Sequence, residues 1–442
     1  GKKESFASLM RMLDPTILPV GGDYTREDVE ALFIRRFKGD VREQMKQHFP
    51  ECQTYNLQAG ATKEETHAFE VLGKIQLASD ATARKQSDGT LLFKTILEKA
   101  LFSSPSACLQ TIRERSKRLK AKDDAHPDLA PLEGLERAVS AITAQHFGKF
   151  QMLLRLLKGQ KLHDDDLVGS AGQTESAASD EQPWRWDGSN STDRLVIFTE
   201  RIETLKFLEE HLPSALGLQK DAVATLHGQM ADLDIHKTVQ DFGRSHTPLR
   251  MLIASDVASE GLNLHYQAHR LIHFDIPWSL MVFQQRNGRV DRYGQTKAPR
   301  IGYLYTRPED GGVRGDLRYL EILIEKDTQV SRNIGDPSAF MGLYDEEAEV
   351  ARTGRAIEQQ EPLESFEKPA GATESAEAEK NAENADTNSF DALFGRKTES
   401  EQDKTEQESS GSPPGGSSAH ADKPRTRILP SLFANHHEYL RD

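Results

Sequence analysis

Three arginines occur at a spacing of three residues within the segment SLMVFQQRNGRVDRYGQ: Arg286, Arg289 and Arg292. The apolar residues before them predict a helix that begins near Ser279. Residues three apart share one helix face, where like charges cost about 0.2–0.5 kcal/mol per pair. Because a surface helix gains nothing from this arrangement, we expect a negative group to face the arginines. For Arg292 alone, a surface salt bridge with Asp291 or Asp275 is the ordinary alternative.

Short apolar segments alternate with helical patterns between residues 193 and 310, which predicts a parallel α/β sheet covered by helices on both faces. The predicted strands are residues 194–198, 221–226, 250–254, 270–274 and 301–305. Ligands of such sheets bind at the carboxyl ends of the strands. Thr199, Ser255 and Asp275 follow three of these strands directly, so we expect them to line a site.

Residues 1–158 have mostly helical patterns, with few signals of strands in residues 51–158. We interpret residues 1–50 as a segment that joins two lobes and residues 51–158 as a helical insert. Basic clusters occur in both parts, at Arg35, Arg36 and Lys38 and in TIRERSKRLKA. Such runs are most often solvated helix faces, and a surface for nucleic-acid phosphate is the alternative.

Composition changes twice more along the chain. Residues 159–192 are rich in Gly, Ser, Asp and Glu and predict an exposed linker, in which Trp184 and Trp186 are expected to be packing anchors. Residues 193–345 form the predicted lobe. Residues 346–425 are acidic and poor in apolar residues, which predicts disorder. Residues 426–442 turn apolar again and are interpreted as the start of a truncated further element.

The chain has 442 residues and a net charge of −14, which leaves room for local basic surfaces. Its two cysteines, Cys52 and Cys108, indicate neither a disulfide framework nor a zinc site and agree with a cytoplasmic location. No run of about 18 apolar residues suggests a membrane span, so no membrane partner is expected.

Five segments in order resemble the second RecA-like lobe of superfamily 2 helicases and translocases. Within that superfamily, they are most similar to bacterial Swi/Snf-type ATPases of the RapA-like and phage-defence groups. VIFTERIETLKFL resembles the fourth helicase motif, TLHGQM the segment after it, ASDVASEGLNL the fifth motif and QQRNGRVDRYGQ the sixth. SLMRMLDP and FIRRFKGDV are similar to the segment that joins the two lobes in Swi/Snf-type proteins.

The resemblance implies roles for individual residues. Arg289 and Arg292 match the arginine fingers, which deliver positive charge to a phosphate during transfer. The implied nucleotide-binding residues are Glu260, Gly261, Asn263, Gln285 and Arg286. The implied nucleic-acid-binding residues are Thr199, Arg201, His227, Gly228, Ser255 and Asp256. A helix cap remains the alternative for the Ser and Asn residues, and a structural role remains the alternative for His227.

The sequence contains neither a G-x-x-x-x-G-K-[ST] loop nor a credible acidic box after a strand. The resemblance therefore suggests the C-terminal half of an ATP-dependent DNA helicase or translocase, in which a missing first lobe holds most of ATP and Mg²⁺. The expected partners are nucleic acid, chiefly double-stranded DNA, that first lobe, and other subunits of a defence or transcription-related complex. A non-catalytic subunit that keeps the lobe fold and binds nucleic acid or a partner is the alternative.

Overall fold

The computed structural model describes residues 3–14, 16, 18, 50–77, 88–160, 184–256, 262–308, 320, 323 and 324. All of them belong to one unit, Gly1–Ala372. The predicted disorder of residues 346–425, the element at 426–442 and the basic cluster at 35–38 lie outside these residues. The same holds for Glu260 and Gly261. In the described residues, no helix is long and apolar enough to cross a membrane.

Six parallel strands form the sheet, in the order β1-β6-β5-β2-β4-β3. They are β1 (Gln53–Gly60), β2 (Arg194–Phe198), β3 (Val223–Leu226), β4 (Met251–Ala254), β5 (Ala268–His273) and β6 (Arg300–Arg307). The central strands β2 and β4 are fully buried. Their largely apolar sequences explain why these two strands could be predicted, as strands of a covered parallel sheet lack a polar face. The strands β3, β5 and β6 were predicted from shorter apolar segments.

Strand β1 was not predicted. Its sequence, QTYNLQAG, offers one large aliphatic residue, Leu57, and four polar residues, namely two glutamines, a threonine and an asparagine. Tertiary pairing determines its conformation, because each of its eight residues pairs with β6, from Gln53 opposite Arg300 to Gly60 opposite Arg307. Since β1 is the edge strand, it needs less apolar surface than the central strands.

Helices cover the sheet on both faces. They are α1 (Lys3–Leu13), α2 (Lys63–Lys74), α3 (Asp88–Ser103), α4 (Pro105–Lys120), α5 (Leu129–Ser140), α6 (Gly148–Leu157), α7 (Ile202–Leu216), α8 (Asp232–Gly243) and α9 (Leu280–Asn287). Phe242 of α8 and Phe283 of α9 share one buried cluster with Leu252 and Leu271. Helices α6 and α7 contact strands as well and also touch each other.

The helices of residues 51–158 pack on the sheet and its helices rather than standing apart. Helix α6 contacts β1 and β6, and α4 contacts α7. A capping box begins α2, in which the Thr62 hydroxyl accepts from the Glu65 backbone N–H and the Glu65 carboxylate accepts from the Thr62 N–H. The same carboxylate accepts from the Gly148 N–H at 3.1 Å, which fixes the start of α6. The domain boundaries at residues 50 and 158 stay predictions.

Trp184 and Trp186 are buried, as expected of packing anchors. Trp184 meets Tyr55 of β1 edge to face at 5.4 Å, and Trp186 donates from Nε1 to the Asp193 carbonyl at 2.8 Å. A Cβ atom added to Gly302 would lie 2.8 Å from Leu57 and 3.1 Å from the Trp184 ring. The close contact between β6, β1 and Trp184 therefore requires glycine at this position.

We predict that Gly302→Ala lowers the free energy of unfolding by about 1–3 kcal/mol, because the new methyl group forces Leu57 and Trp184 apart. Gly134→Ala is the matched control, since Gly134 lies inside α5 and a Cβ there meets no atom within 4 Å. That change should stabilise the chain by about 0.5–1 kcal/mol. Urea denaturation of both variants tests this, and equal effects would show that Gly302 is not sterically required.

Candidate functional site

The polar residues predicted to line the carboxyl edge of the sheet do meet there. Thr199, Ser255 and Asp275 follow β2, β4 and β5, which are neighbours in the sheet with β2 in the middle. The Thr199 hydroxyl donates to the Asp275 carboxylate at 2.6 Å. The Ser255 N–H donates to the Leu226 carbonyl at 2.8 Å, which aligns this edge with the end of β3.

Asp275 is the hub of this edge. Besides Thr199, its carboxylate accepts from the Ser103 hydroxyl at 2.8 Å and from the Glu200 backbone N–H at 2.9 Å. Burial alone would raise its pKa, but the charges of Arg286 and Lys149 and the donated hydrogen bonds outweigh burial and lower the pKa below the usual value. Asp275 is therefore a buried carboxylate that stays ionised.

Arg286 is fully buried and joins the ends of two strands to α9. Its Nε and Nη2 atoms donate to the two Asp256 carboxylate oxygens at 2.6 and 2.7 Å, and Nη1 donates to the Asp275 carbonyl at 3.0 Å. Burial opposes its charge, but the Asp256 and Asp275 carboxylates raise its pKa above the ordinary value. This bidentate pairing gives Arg286 the geometry of a positioning residue, and the predicted phosphate contact of Asp256 would have to use its backbone.

The three arginines do not share one helix face, which corrects the expectation from their spacing. Helix α9 ends at Asn287 and Gly288 follows it as the C-cap, so Arg289 and Arg292 lie in the turns beyond. Glycine is among the least favourable residues for a helix interior, and the first break falls there. Arg286 points inwards from the helix, whereas the other two arginines extend from an irregular segment.

Arg289 and Arg292 both reach the last residues of the segment ASDVASEGLNL, which resembles the fifth motif. Arg289 is partly buried and donates to the Leu262 carbonyl at 3.4 Å. Arg292 is exposed and donates to the side-chain oxygen of Asn263. Within the described parts of the chain, no carboxylate lies in salt-bridge range of Arg292, so the expected alternative of a pair with Asp291 or Asp275 is not what the geometry gives.

Three side chains that sequence reasoning missed hold this turn. The Gln295 amide donates to the carbonyls of His265 and Ala268 at 2.9 and 3.0 Å. His273 bonds through Nε2 to the Asn287 side-chain oxygen at 2.8 Å, and the Asn287 amide donates to the Tyr303 hydroxyl at 3.0 Å. These bonds fix the end of α9 and the turn that carries Arg292.

A directed chain of hydroxyl groups connects α4 to Asp275. Because the ionised carboxylate only accepts, the Ser103 hydroxyl donates to it and must accept from Thr204 at 2.8 Å. Thr204 in turn accepts from Ser104 at 2.6 Å, and the Ser104 oxygen accepts from the Ala107 N–H at 3.1 Å. The start of α4 is thus tied to the carboxyl edge of the sheet.

Lys149 supports the same edge from α6. It is fully buried, and its ammonium group donates to the Phe274 carbonyl at 2.7 Å. The sequence carried a weak signal for it, since Lys149 stands in the largely apolar segment FGKFQMLLRLL. A buried lysine requires a partner, but the partner is 125 residues away and could not be identified locally.

The remaining predicted residues differ in how open they are. Gly228, Asn263 and Gln285 are exposed, whereas Arg201 and His227 are partly buried. Arg201 lines a narrow notch with Lys99, Glu200 and Trp278, in which Lys99 pairs with Glu200 at 2.7 Å. Thr199 is fully buried with its hydroxyl on Asp275. In this conformation Thr199 shapes the edge, and a phosphate contact from its side chain would require a rearrangement.

Basic residues of helix α4 form ion pairs with acidic residues of the neighbouring helix α5. Arg113 pairs with Glu136 of α5 at 2.7 Å, and Lys120 lies 3.6 Å from Glu133 of the same helix. Lys117 and Arg118 are exposed between them. The pairing agrees with the interpretation of this run as a solvated face.

Comparisons with known proteins match part of the chain that carries these residues. Residues 186–294 match the family model described as helicase conserved C-terminal domain. Probable ATP-dependent RNA helicase DDX43 from Homo sapiens is 32% identical over 128 residues, which are 28% of this chain and 19% of that protein. RNA polymerase-associated protein RapA from Vibrio campbellii is 30% identical over 106 residues, which are 24% of this chain and 10% of that protein.

The chain thus matches less than a fifth of the length of these relatives. A crystal structure of the C-terminal part of the Fun30 ATPase domain aligns with a TM-score of 0.38 and 16% identity, covering 71% of this chain and all of that chain.

We predict that Asp275→Asn lowers the free energy of unfolding by about 3–5 kcal/mol, because it leaves Arg286 and Lys149 buried with one carboxylate fewer. Asp241→Asn is the control, since its pair with Arg244 is exposed and 3.9 Å long, and should cost less than about 1 kcal/mol. Urea denaturation at pH 7 measures both. Similar small losses would contradict the role of Asp275 as the hub.

A second prediction concerns pH. Burial and the Arg286 charge lower the pKa of His273 to about 3, whereas an unfolded histidine titrates near 6.5. Between these values the unfolded state binds more protons, so stability is lost as pH falls from about 6.5 towards 3, by up to about 1.4 kcal/mol per unit. His273→Gln should make stability fall less steeply between pH 7 and 4.5.

Urea titrations of the two proteins over this range provide the comparison. His269, whose pKa burial and Arg270 lower to about 4, contributes a similar slope to both proteins and cancels. Parallel curves would contradict the account of His273 as a buried neutral ring.

Proposed function

We propose that this chain acts in an ATP-dependent helicase or translocase, because residues 186–294 match the model of the helicase conserved C-terminal domain and contribute β2 to β5 to the parallel sheet. In this proposal Arg289 and Arg292 contact the phosphates of ATP. The phosphate-binding loop and most ligands of Mg²⁺ belong to another RecA-like lobe. The carboxyl edge of the sheet contacts nucleic acid, with double-stranded DNA as the proposed substrate.

The exposed guanidinium of Arg292 is the observation that carries the proposal. Its described partner is the neutral amide oxygen of Asn263, which orients the group without neutralising its charge. The turn behind it is held by the Gln295 amide nitrogen, whose two N–H groups face three carbonyl oxygens within 3.2 Å. Phosphoryl transfer requires a positive charge held in a fixed position next to the phosphate oxygens. In the proposal, Arg292 supplies this charge to a nucleotide that another lobe binds.

Arg286 supports the proposal by joining the ends of two strands to α9. It joins Asp256, at the end of β4, to Asp275, at the end of β5, from its place on α9. The turn with Arg289 and Arg292 follows that helix directly. We propose that this rigid connection transmits the position of the nucleic-acid edge to the arginines, so that closure of the lobes completes the nucleotide site.

The cofactor assignment follows from the side chains at hand. Guanidinium groups suit a triphosphate, because they bind its oxygens with paired hydrogen bonds. No group of three His, Cys, Asp or Glu residues in the described ranges could hold a metal ion. In the proposal, Mg²⁺ is bound by the phosphates and by carboxylates of the other lobe. Glu260, Gly261, Asn263 and Gln285 remain proposed nucleotide contacts.

The proposed nucleic-acid contacts lie around the carboxyl edge. Gly228 is exposed after β3, and Arg201 lies at the start of α7, where it lines the narrow notch. Backbone N–H groups and small side chains at such positions suit sugar–phosphate contacts, which position a strand without reading its sequence. His227 and Ser255 complete this surface in the proposal.

We predict that Arg292→Ala in the full-length protein lowers kcat for ATP hydrolysis by about 10³–10⁵ with little change in DNA affinity, as expected for an arginine finger. Arg292→Lys keeps the charge but loses the paired hydrogen bonds, so it should recover only part of the rate. Arg244→Ala removes an exposed arginine whose described ion pair is with Asp241, and it should hydrolyse ATP at the normal rate.

Phosphate release with duplex DNA or single-stranded RNA, together with DNA binding by fluorescence anisotropy, tests the proposal. Stimulation by RNA alone would replace DNA as the substrate. Loss of DNA binding with intact hydrolysis would contradict the role of Arg292. A correctly folded full-length protein that does not hydrolyse ATP would favour the alternative function as a non-catalytic subunit.

A further inference from the structure

Two exposed tyrosines lie beside the turn that carries Arg292. The side chains of Tyr266 and Tyr293 are 68% and 57% exposed, which is unusual for large aromatic rings. A Cβ atom on Gly294 would lie 3.8 Å from the Tyr266 ring, so the turn at Tyr293–Gly294 passes close to Tyr266. The two rings therefore belong to one surface, which we call the tyrosine patch (Tyr266 and Tyr293).

The ring of Tyr266 packs against the ring of His265. His265 is 3% exposed, and its ring centre lies 4.0 Å from that of Tyr266 at an angle of 37°. Neither nitrogen of the His265 ring has a hydrogen-bond partner in the described residues. Burial and the nearby Arg292 charge lower the pKa of His265, which keeps the ring neutral. A neutral ring suits a stacking role.

The backbone of this turn is also fixed. The Ala268 N–H donates to the Leu264 carbonyl at 3.0 Å, and Leu264 itself is buried. The Gln295 amide holds the His265 carbonyl at 2.9 Å. Tyr266 is therefore an exposed ring on a rigid support, which lowers the entropy lost when a ligand stacks on it.

The position of the tyrosine patch favours a nucleotide over a nucleic-acid strand. Tyr266 precedes β5 at its amino end, whereas Thr199 and Ser255 lie at carboxyl ends of strands. Six residues of β5 separate the two edges by about 20 Å. In contrast, Tyr266 is three residues from Asn263, the partner of Arg292, a span of at most about 11 Å.

We propose that Tyr266, supported by His265 and flanked by Tyr293, stacks on the base of the nucleotide whose phosphates contact Arg292. This inference rests on the proposed function of Arg292 and adds a second subsite to it. An aromatic ring binds the face of a base with little regard to its identity. The patch therefore contributes affinity for a nucleoside triphosphate over a bare polyphosphate.

The test compares two ligands that share phosphates and differ in the base. In the full-length protein with saturating duplex DNA, KM is measured for ATP, and the inhibition constant is measured for inorganic tripolyphosphate. Tyr266→Ala should raise KM for ATP about tenfold, with kcat and the tripolyphosphate constant changed by less than about twofold. Tyr266→Phe keeps the ring and should restore KM. Leu233→Ala, 79% exposed on α8, is the control for truncating an exposed apolar side chain.

Each other outcome overturns a definite part of the account. An unchanged KM for Tyr266→Ala overturns the base subsite and leaves the proposed function intact. An equal rise in KM for ATP and in the inhibition constant for tripolyphosphate means that the substitution acted on the phosphate site. That result also overturns the base subsite. A loss of DNA affinity with unchanged KM assigns the tyrosine to nucleic acid instead. If the correctly folded protein without substitutions does not hydrolyse ATP, both the proposed function and this inference are overturned.

Discussion

The buried ion cluster of Arg286, Asp256 and Asp275 is the interaction on which the rest of the site depends. One guanidinium satisfies two strand ends, with both Asp256 oxygens within 2.7 Å and the Asp275 carbonyl at 3.0 Å. Removing one partner from such a cluster leaves an uncompensated buried charge, which is costly. The surroundings are built accordingly, since Lys149 and the hydroxyls of Ser103 and Thr199 satisfy the groups that Arg286 does not reach.

This cluster also separates two kinds of arginine within one motif. Arg286 uses its donors inside the protein and serves as a positioning residue, whereas Arg292 presents its charge at the surface. The turn between Arg286 and Arg292 is held by hydrogen bonds of His273, Asn287 and Gln295. The different positions of the two arginines therefore follow from the fold of the backbone and not from a flexible side chain. The helices of residues 88–157 join this arrangement through Ser103, Ser104 and Lys149.

Local patterns were sufficient for the strands β2 to β6 and for the placement of Thr199, Ser255 and Asp275 at one edge. They were insufficient where long-range contacts decide. Strand β1 is polar and exists because β6 pairs with it, and Ser103 lies 172 residues from the carboxylate it contacts. The spacing of the arginines indicated a nearby negative group correctly for Arg286, but it did not show that Gly288 ends the helix before Arg289.

A structure of the full-length protein bound to a non-hydrolysable ATP analogue and duplex DNA tests the central claim most directly. The account predicts that the Arg292 guanidinium leaves Asn263 or shares it, and lies within about 3 Å of an oxygen of the terminal phosphate group. Arg286 should keep its bonds to Asp256 and Asp275. A closed complex in which Arg292 remains on Asn263, with no phosphate oxygen in hydrogen-bond range, would contradict the account.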